Sequence, residues 1–419
     1  MIRPEIWDVV VVGGGPAGFF AAIRCAQLRP FYKILILEKS SQVLSKVRIS
    51  GGGWCNVTHA CYDPAELVNY YPRGSQELRG PFSYFQPADT TAWFEKHGVP
   101  LKTEPDGRIF PTSDSSESIV DCLVALADRL KIVVRTRQLV HSIERVAEQS
   151  VFEIGMEGDE SLLARCVLLA TGGARRAFQF AQSLGHTIQP AVPSLFTFTI
   201  SDPRLDGLAG VSVEDVRLYL PDAGIEQSGA LLVTHWGLSG PAVLKLSAWA
   251  ARSLHAANYQ TDLLIDWLPG FSSGELQITF LEKKSFSGGQ LVSARSFSDS
   301  MVNSQPMPLR LWRKLVYAAG IGTRETWGNL SRKQLVSLAN ELTHSQFRIS
   351  GKGVFKEEFV TCGGVNLKEV DFKTMQSRVC PGLYLAGEVL DIDAVTGGFN
   401  FQAAWTTGWL AGSAMGDRV

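Results

Sequence analysis

Cysteine is scarce and unpatterned: Cys25, Cys55, Cys61, Cys122, Cys166, Cys362 and Cys380 are odd in number and contain no C-x-x-C pair. That suggests neither a disulfide framework nor a zinc site. The seven histidines show no metal-ligand spacing either, so no metal is expected. No uninterrupted apolar run reaches the ~18 residues of a membrane span. Glu5 and Asp8 precede an apolar run broken by glycines, the wrong layout for a signal peptide. The expectation is a cytoplasmic protein without a membrane partner. Charge of one sign is also missing, since 40 Lys and Arg face 41 Asp and Glu for a net −1. The whole chain therefore shows no bias toward nucleic acid or anionic membrane. Repeats and low-complexity tracts are absent, which excludes solenoids and long linkers. What remains is 419 residues, 45% hydrophobic and rich in glycine (40), enough for two or three globular domains.

The first forty residues carry the densest information. Residues 7–12 (WDVVVV) read as a buried strand, 16–29 as a helix with Pro16 in its first turn, and 33–38 (KILILE) as a second buried strand. Between strand and helix, Gly13, Gly15 and Gly18 stand in G-x-G-x-x-G register. The first glycine allows the tight turn, the second lets backbone approach a pyrophosphate, and the third allows close helix packing. Glu38 follows twenty residues after Gly18, placed to accept from the hydroxyls of an adenosine ribose. A dinucleotide is the expected ligand.

The C-terminus narrows the choice to FAD. Residues 382–408 read as a strand ending at Ala386-Gly387, a carboxylate at Glu388, a Gly397-Gly398 turn and a helix from about Asn400. Such a helix N-terminus would stabilise negative charge on a reduced flavin, and Glu388, or else Asp391 or Asp393, would accept from the ribityl chain. Residues 165–170 form another strand that runs into Thr171-Gly172-Gly173. Strands are also expected over 139–146 and 150–156, and a helix over 117–130. The pieces describe one discontinuous FAD domain, with the fold class α/β and Rossmann-like.

These stretches resemble the BaiN/RdsA (YhiN-like) family of FAD-dependent, NAD(P)-linked oxidoreductases, a branch of the two-dinucleotide-binding flavoproteins. The matching residues are the N-terminal fingerprint, Lys46, Ser50-Gly51-Gly52-Gly53, Cys55-Asn56-Val57-Thr58, Thr234-His235, Gly237-Leu238-Ser239-Gly240-Pro241-Ala242, Thr361, Gly363-Gly364-Val365, and Gly387-Glu388 through Asn400. The resemblance implies a FAD domain over 1–190 and 355–419, a β-barrel-like, β-rich insert over 191–288 and a small basic helical subdomain over 289–354. Within the insert, 195–200, 213–220 and 229–234 read as strands; 285–290 resembles a linker, and 308–318 and 331–344 are helical in period. Cofactor contacts are assigned to Gly13, Gly15, Pro16, Ala17, Gly18, Glu38, Lys39, Lys46, Ser50, Gly51, Gly52, Gly53, Asn56, Thr171, Gly172, Gly173, Gly387, Glu388, Asp393, Gly397, Gly398, Phe399 and Asn400. Trp54 stands where relatives usually carry Arg, Leu44-Ser45 replaces a usual Gly-Arg, and Ala394 replaces a frequent Gly. The loop after Gly173 is also short, which would alter the expected pocket if that loop lines the substrate or nicotinamide side of the flavin.

Three successive glycines at 51–53 let backbone meet a planar isoalloxazine or a pyrophosphate. Cys55 is a candidate general acid or else a structural buried thiol, and His235 a candidate flavin-facing group or else a structural histidine. Between Lys283 and Lys356, twelve Lys and Arg face only Asp299, Glu325 and Glu341, a net +9 that leaves −10 on the remainder. Trp312, Tyr317, Trp327 and Phe347 interleave with those cations, a pattern suited to ribosomal RNA or simply to a solvated helical face.

The resemblance implies NAD(P)H-driven reduction of a conjugated C=C bond, in a ribosomal RNA uridine (giving dihydrouridine) or in an enone-type small molecule. A fumarate reductase or succinate dehydrogenase-like activity on a small acid, and a non-enzymatic flavin-containing RNA-binding protein, are the alternatives. No second G-x-G-x-x-G is present, so NAD(P)H would visit the flavin transiently.

Overall fold

The structure, a computed structural model, describes residues 6–146, 150–157, 160–296, 307–353 and 360–417. The chain divides into two compact units, Met1–Val192 with Val360–Val419, and Pro193–Phe359. The expected boundary at 354/355 lies outside the described residues, as do Asp299 and Lys356 of the basic segment.

The first unit is built on a nine-stranded sheet. Its centre is parallel, in the order Leu383–Leu385, Ser161–Leu169, Ile6–Val12, Ile34–Leu37 and Val133–Arg135. Val10 of the opening strand faces Leu35 on one side and Val167 on the other. Val9 to Val12 and Ile34 to Leu37 are all buried. Such unbroken apolar runs, rather than alternating ones, mark strands covered on both faces. A hairpin, Val140–Val146 and Val151–Met156, joins the sheet antiparallel at Ser161–Leu169.

Helix Pro16–Leu28 follows the first strand, with Pro16 in the first turn, where its missing N–H costs nothing. The C-terminal helix, Phe399–Asp417, begins one residue before the sequence suggests. The two helices approach through small residues at four-residue spacing. A Cβ at Gly408 would lie 2.7 Å from the Ala17 carbonyl oxygen, one at Gly412 2.4 Å from that of Ala21, and one at Gly416 3.0 Å from the Leu28 side chain. Backbone contact of this kind fixes the depth of the opening helix beneath its own N-terminus.

The second unit carries a seven-stranded antiparallel sheet in the order Ser345–Ile349, Thr261–Asp266, Ser212–Leu220, Ile225–Val233, Gly237–Ser239, Phe198–Thr199 and Gly351–Lys352. Inward residues such as Val216, Leu218, Leu231 and Ile265 meet Leu246, Phe280, Trp312, Leu315 and Leu338 in one hydrophobic core. Residues 191–288 and 289–354 therefore share a core. Two helices, Pro241–Trp249 and Ala251–Ala256, lie within the insert expected to be β-rich, outside the three runs read as strands. The 285–290 linker is also corrected in part: helix Ser273–Phe286, opened by a Ser272/Glu275 capping box, runs into it. Among the described residues no helix is long and apolar enough to cross a membrane.

Candidate cofactor site

The parallel strands all end on one side of the sheet, and their C-terminal ends carry the fingerprint, Glu38, Thr171 to Gly173, and Gly387 with Glu388. The opening strand lies between the strands that precede Glu38 and Thr171, so the crevice beside it is where ligands bind in open α/β sheets. Gly13 adopts a positive φ (+114°), and a Cβ there would lie 2.4 Å from the Ala170 carbonyl oxygen. A Cβ on Gly18 would meet the Gly13 carbonyl oxygen at 2.2 Å. Only glycine fits at either position. Gly15 ends the turn as the residue before Pro16 and Ala17.

Among the described residues no side chain caps that helix, and no acidic residue occupies its first turn. Its N–H groups and dipole are therefore free for an anion. Glu38 is held by backbone: one carboxylate oxygen accepts from Gly14 N at 2.8 Å, and the other from Ser40 N at 2.9 Å and Ser40 Oγ at 2.8 Å. A carboxylate has about four lone-pair sites, so room remains for a ribose hydroxyl. Lys39 beside it is exposed.

A second cluster forms where Gly172 meets the last parallel strand. Lys46 forms an ion pair with Glu388, and a Cβ on Gly172 would stand 3.6 Å from Glu388 Oε2 and 4.0 Å from Lys46 Nζ. Gly387 donates its N–H to Thr407 Oγ1 at 3.0 Å, and its Cβ position lies 3.1 Å from that of Ala17. The helix N-terminus, Glu388 and Lys46 are thereby neighbours. Gly173 is packed under Thr361. The Thr171 hydroxyl is buried without a hydrogen-bond partner among the described residues, a state that costs free energy unless a ligand supplies the partner.

A third group surrounds the Gly397-Gly398 turn. The Asn56 amide donates to the Thr58 carbonyl at 2.9 Å and accepts from Gly398 N at 3.0 Å. Asn400 clamps the same loop, donating to the Ala394 carbonyl and accepting from Ala394 N, both at 3.0 Å. A Cβ on Gly398 would lie 2.6 Å from the Thr58 carbonyl oxygen. Ser50 to Gly53 form a short turn with positive φ at all three glycines (58°, 71° and 92°), held by Ser50 Oγ donating to the Val47 carbonyl at 3.0 Å. Among the described residues no heavy atom lies within 4 Å of a Cβ position at Gly52 or Gly53. That backbone is open to a flat ligand.

Some assigned residues face elsewhere. Asp393 is fully buried and ion-paired with Arg73, a charge-assisted bond that spends its carboxylate inside the protein. Phe399 is buried in an aromatic stack, 4.2 Å from the Tyr70 ring and 4.6 Å from His59. Cys55 is fully buried, and burial pushes its thiol up to about 12, with a Ser50 hydrogen bond pulling the other way. It is not presented to a substrate. His235 is exposed in the second unit, between strands Ile225–Val233 and Gly237–Ser239.

Two residues at the site carry no sequence signal. Arg73 meets Asp393 across 320 positions, and His59 lies against Gly397, whose Cβ position is 3.6 Å from His59 Cδ2. His59 Nε2 donates to the Asp106 carbonyl at 3.1 Å. Burial lowers the imidazole pKa below its ordinary value, with the Asp106 contact opposing, and Nδ1 is buried without a partner among the described residues. No periodicity or spacing connects residue 59 with 397.

The uncapped helix, the unpaired Thr171 hydroxyl, the Glu38 carboxylate with a lone pair to spare and the open glycine turn together fit an extended dinucleotide with a flat ring. The comparisons agree. The family model described as HI0933-like protein Rossmann domain matches residues 7–414. The chain is 27% identical over 420 residues to the 3-dehydro-bile acid delta(4,6)-reductase of Clostridium scindens, covering 97% of this chain and 98% of that protein. It is also 27% identical over 423 residues to the ribosomal RNA dihydrouridine synthase of Escherichia coli, covering 97% of each. Among solved structures, the 3-ketosteroid-delta4-(5alpha)-dehydrogenase of Rhodococcus jostii shares the fold at 16% identity and a TM-score of 0.54, covering 100% of this chain and 98% of that one. With a family model spanning nearly its whole length and the cofactor cradle in place, the chain belongs to the HI0933-like (BaiN/RdsA) family of FAD-dependent oxidoreductases.

Proposed function

We propose that the protein uses NAD(P)H to reduce a C=C bond conjugated to a ring carbonyl, and that its substrate is a uridine of ribosomal RNA. One observation carries the reading: end-to-end similarity at equal identity to a bile-acid delta(4,6)-reductase and to a dihydrouridine synthase. Dihydrouridine is uridine with its ring C=C reduced, so both names describe the removal of unsaturation from a ring. FAD, when bound, supplies the two-electron chemistry. The chain's own part is to bind and orient: the N-terminus of helix Pro16–Leu28 receives the pyrophosphate, Glu38 the adenosine ribose, and Glu388 with Lys46 the ribityl side. The turns at Gly51 to Gly53 and at Gly397-Gly398, low in side chains, would take the ring. The product needs two electrons and two protons; NAD(P)H brings the electrons and one proton, and an acid brings the other. Of the two candidate acids, Cys55 is buried in the first unit and His235 is exposed in the second.

The RNA partner is supported by the exposed cations Arg310, Arg313, Arg324, Arg332 and Lys333. The interleaved aromatics give no such support, because Trp312, Trp327 and Phe347 are buried core residues and Tyr317 alone of the four is exposed. That burial favours a second reading, an enone-type small molecule. The two separate in a strain lacking the protein. Loss of dihydrouridine from its ribosomal RNA, restored by the wild-type gene, is the expected result. Unchanged dihydrouridine would contradict the RNA substrate, and NAD(P)H-dependent saturation of a conjugated steroid ketone by the purified protein would then support the second reading.

A further inference from the structure

Trp54 follows the open glycine turn and is 47% exposed, although tryptophan is among the side chains that gain most from burial. It is not loose. Its ring meets Phe110 edge-on, with centroids 6.2 Å apart at 83°, and the Lys102 ammonium stands 5.8 Å from the ring centroid. Lys102 is in turn held by Asp114 at 2.6 Å and Glu104 at 3.6 Å. A second apolar side chain on the same segment, Ile49, is 60% exposed.

The segment is tied at both ends to the candidate cofactor residues. Upstream, the short helix Ser45–Ile49 begins next to the Lys46–Glu388 pair. Downstream, Asn56 bonds Gly398. Between these ties, Gly52 and Gly53 contribute no side chains and Trp54 contributes a large, anchored and exposed one. An exposed aromatic surface beside bare backbone is a stacking platform, and every flat conjugated ring has a face to lay on it.

We propose that the Trp54 indole is the stacking surface for the substrate's flat, carbonyl-bearing ring, and so sets which rings the site accepts. The proposal rests on the reading of the protein as a reductase of conjugated rings. Its chemistry is shared by a pyrimidine base in RNA and by a free enone, and the probes distinguish the two.

The test measures binding of the FAD-loaded protein to three probes: a short uridine oligoribonucleotide, the same oligomer with its bases removed, and a conjugated steroid ketone. Stacking of one ring corresponds to roughly a 5- to 150-fold change in affinity. Trp54→Ala should weaken binding of the uridine oligomer or the ketone by about tenfold or more and leave the base-free oligomer unaffected, while Trp54→Phe recovers most of the loss. The absorbance of the bound flavin should not change. Equal affinity of wild type and Trp54→Ala for both ring-bearing probes would overturn the proposal. So would a shifted flavin spectrum in Trp54→Ala, which would place the indole on the cofactor. A wild type that binds a ring through Trp54 yet reduces neither substrate would count against the reductase reading and leave the stacking role standing.

Discussion

Glu38 holds its own loop before it holds any ligand, since Gly14 N, Ser40 N and Ser40 Oγ all donate to it. The same bonds aim the carboxylate and keep the Gly14 turn in shape. Glu38→Ala removes both functions. A hydrogen bond to a charged group contributes about 1.5–3 kcal/mol, so apoprotein carrying this change should bind FAD roughly 10- to 100-fold more weakly in a fluorescence titration. Affinity equal to wild type would show that Glu38 is only a loop anchor. At this scale the sequence is most legible where a residue's neighbours in the chain are also its neighbours in space. Gly13, Gly18 and Glu38 belong to one strand-turn-helix-strand unit, and their spacing alone places them. Asp393 reads equally well as a free acid near a glycine turn, but its partner, Arg73, is 320 positions away and no local pattern announces it. His59 is hidden for the same reason. Cys55 illustrates the converse, a reactive residue type beside a site motif whose side chain points into the core.

Among elements, the parallel strands are readable because burial on both faces demands continuous apolar runs. The basic segment is harder. Its aromatics alternate with cations, which in one dimension describes a stacking surface as well as it describes an amphipathic helix. Helix Leu309–Ala318 resolves the ambiguity by turning Trp312 and Leu315 inward and Arg310 and Arg313 outward. A staple between separated elements also escapes the sequence. Buried His186 contacts Glu369 through Nδ1 at 2.9 Å and Ser377 Oγ through Nε2 at 2.8 Å, and Thr187 N donates to the same Glu369 oxygen at 2.9 Å. Burial pushes the Glu369 carboxyl up, but the Thr187 and His186 hydrogen bonds outweigh it and hold the group below its ordinary value. A depressed folded-state pKa contributes stability that is present above the unfolded pKa and is lost as pH falls through the folded one. Glu369→Gln should therefore lower Tm at neutral pH and flatten the fall in Tm on acidification below the ordinary glutamate range. Parallel Tm-against-pH curves for variant and wild type would show that the staple contributes no pH-linked stability.

For the whole molecule, near-neutral net charge conceals a basic segment balanced by an acidic remainder. Its exposed cations include Arg310, Arg313, Arg324, Arg332 and Lys333, while of the four interleaved aromatics only Tyr317 reaches the surface, so any contact with RNA would rest chiefly on phosphate. The FAD unit is assembled from the two ends of the chain, so the C-terminal helix packs on the opening helix through Gly408, Gly412 and Gly416. The length of the chain and its motifs point to a split FAD domain; the single core shared by the sheet and helices of the second unit emerges only in three dimensions. Whether the protein is a nicotinamide-reduced flavoprotein is measured most directly by anaerobic addition of NADH and of NADPH to the purified protein. The expected result is a yellow protein carrying FAD whose flavin absorbance is bleached by at least one of the two and returns when oxidising substrate is added. Folded protein without FAD, or bound FAD that neither nicotinamide bleaches, would contradict it.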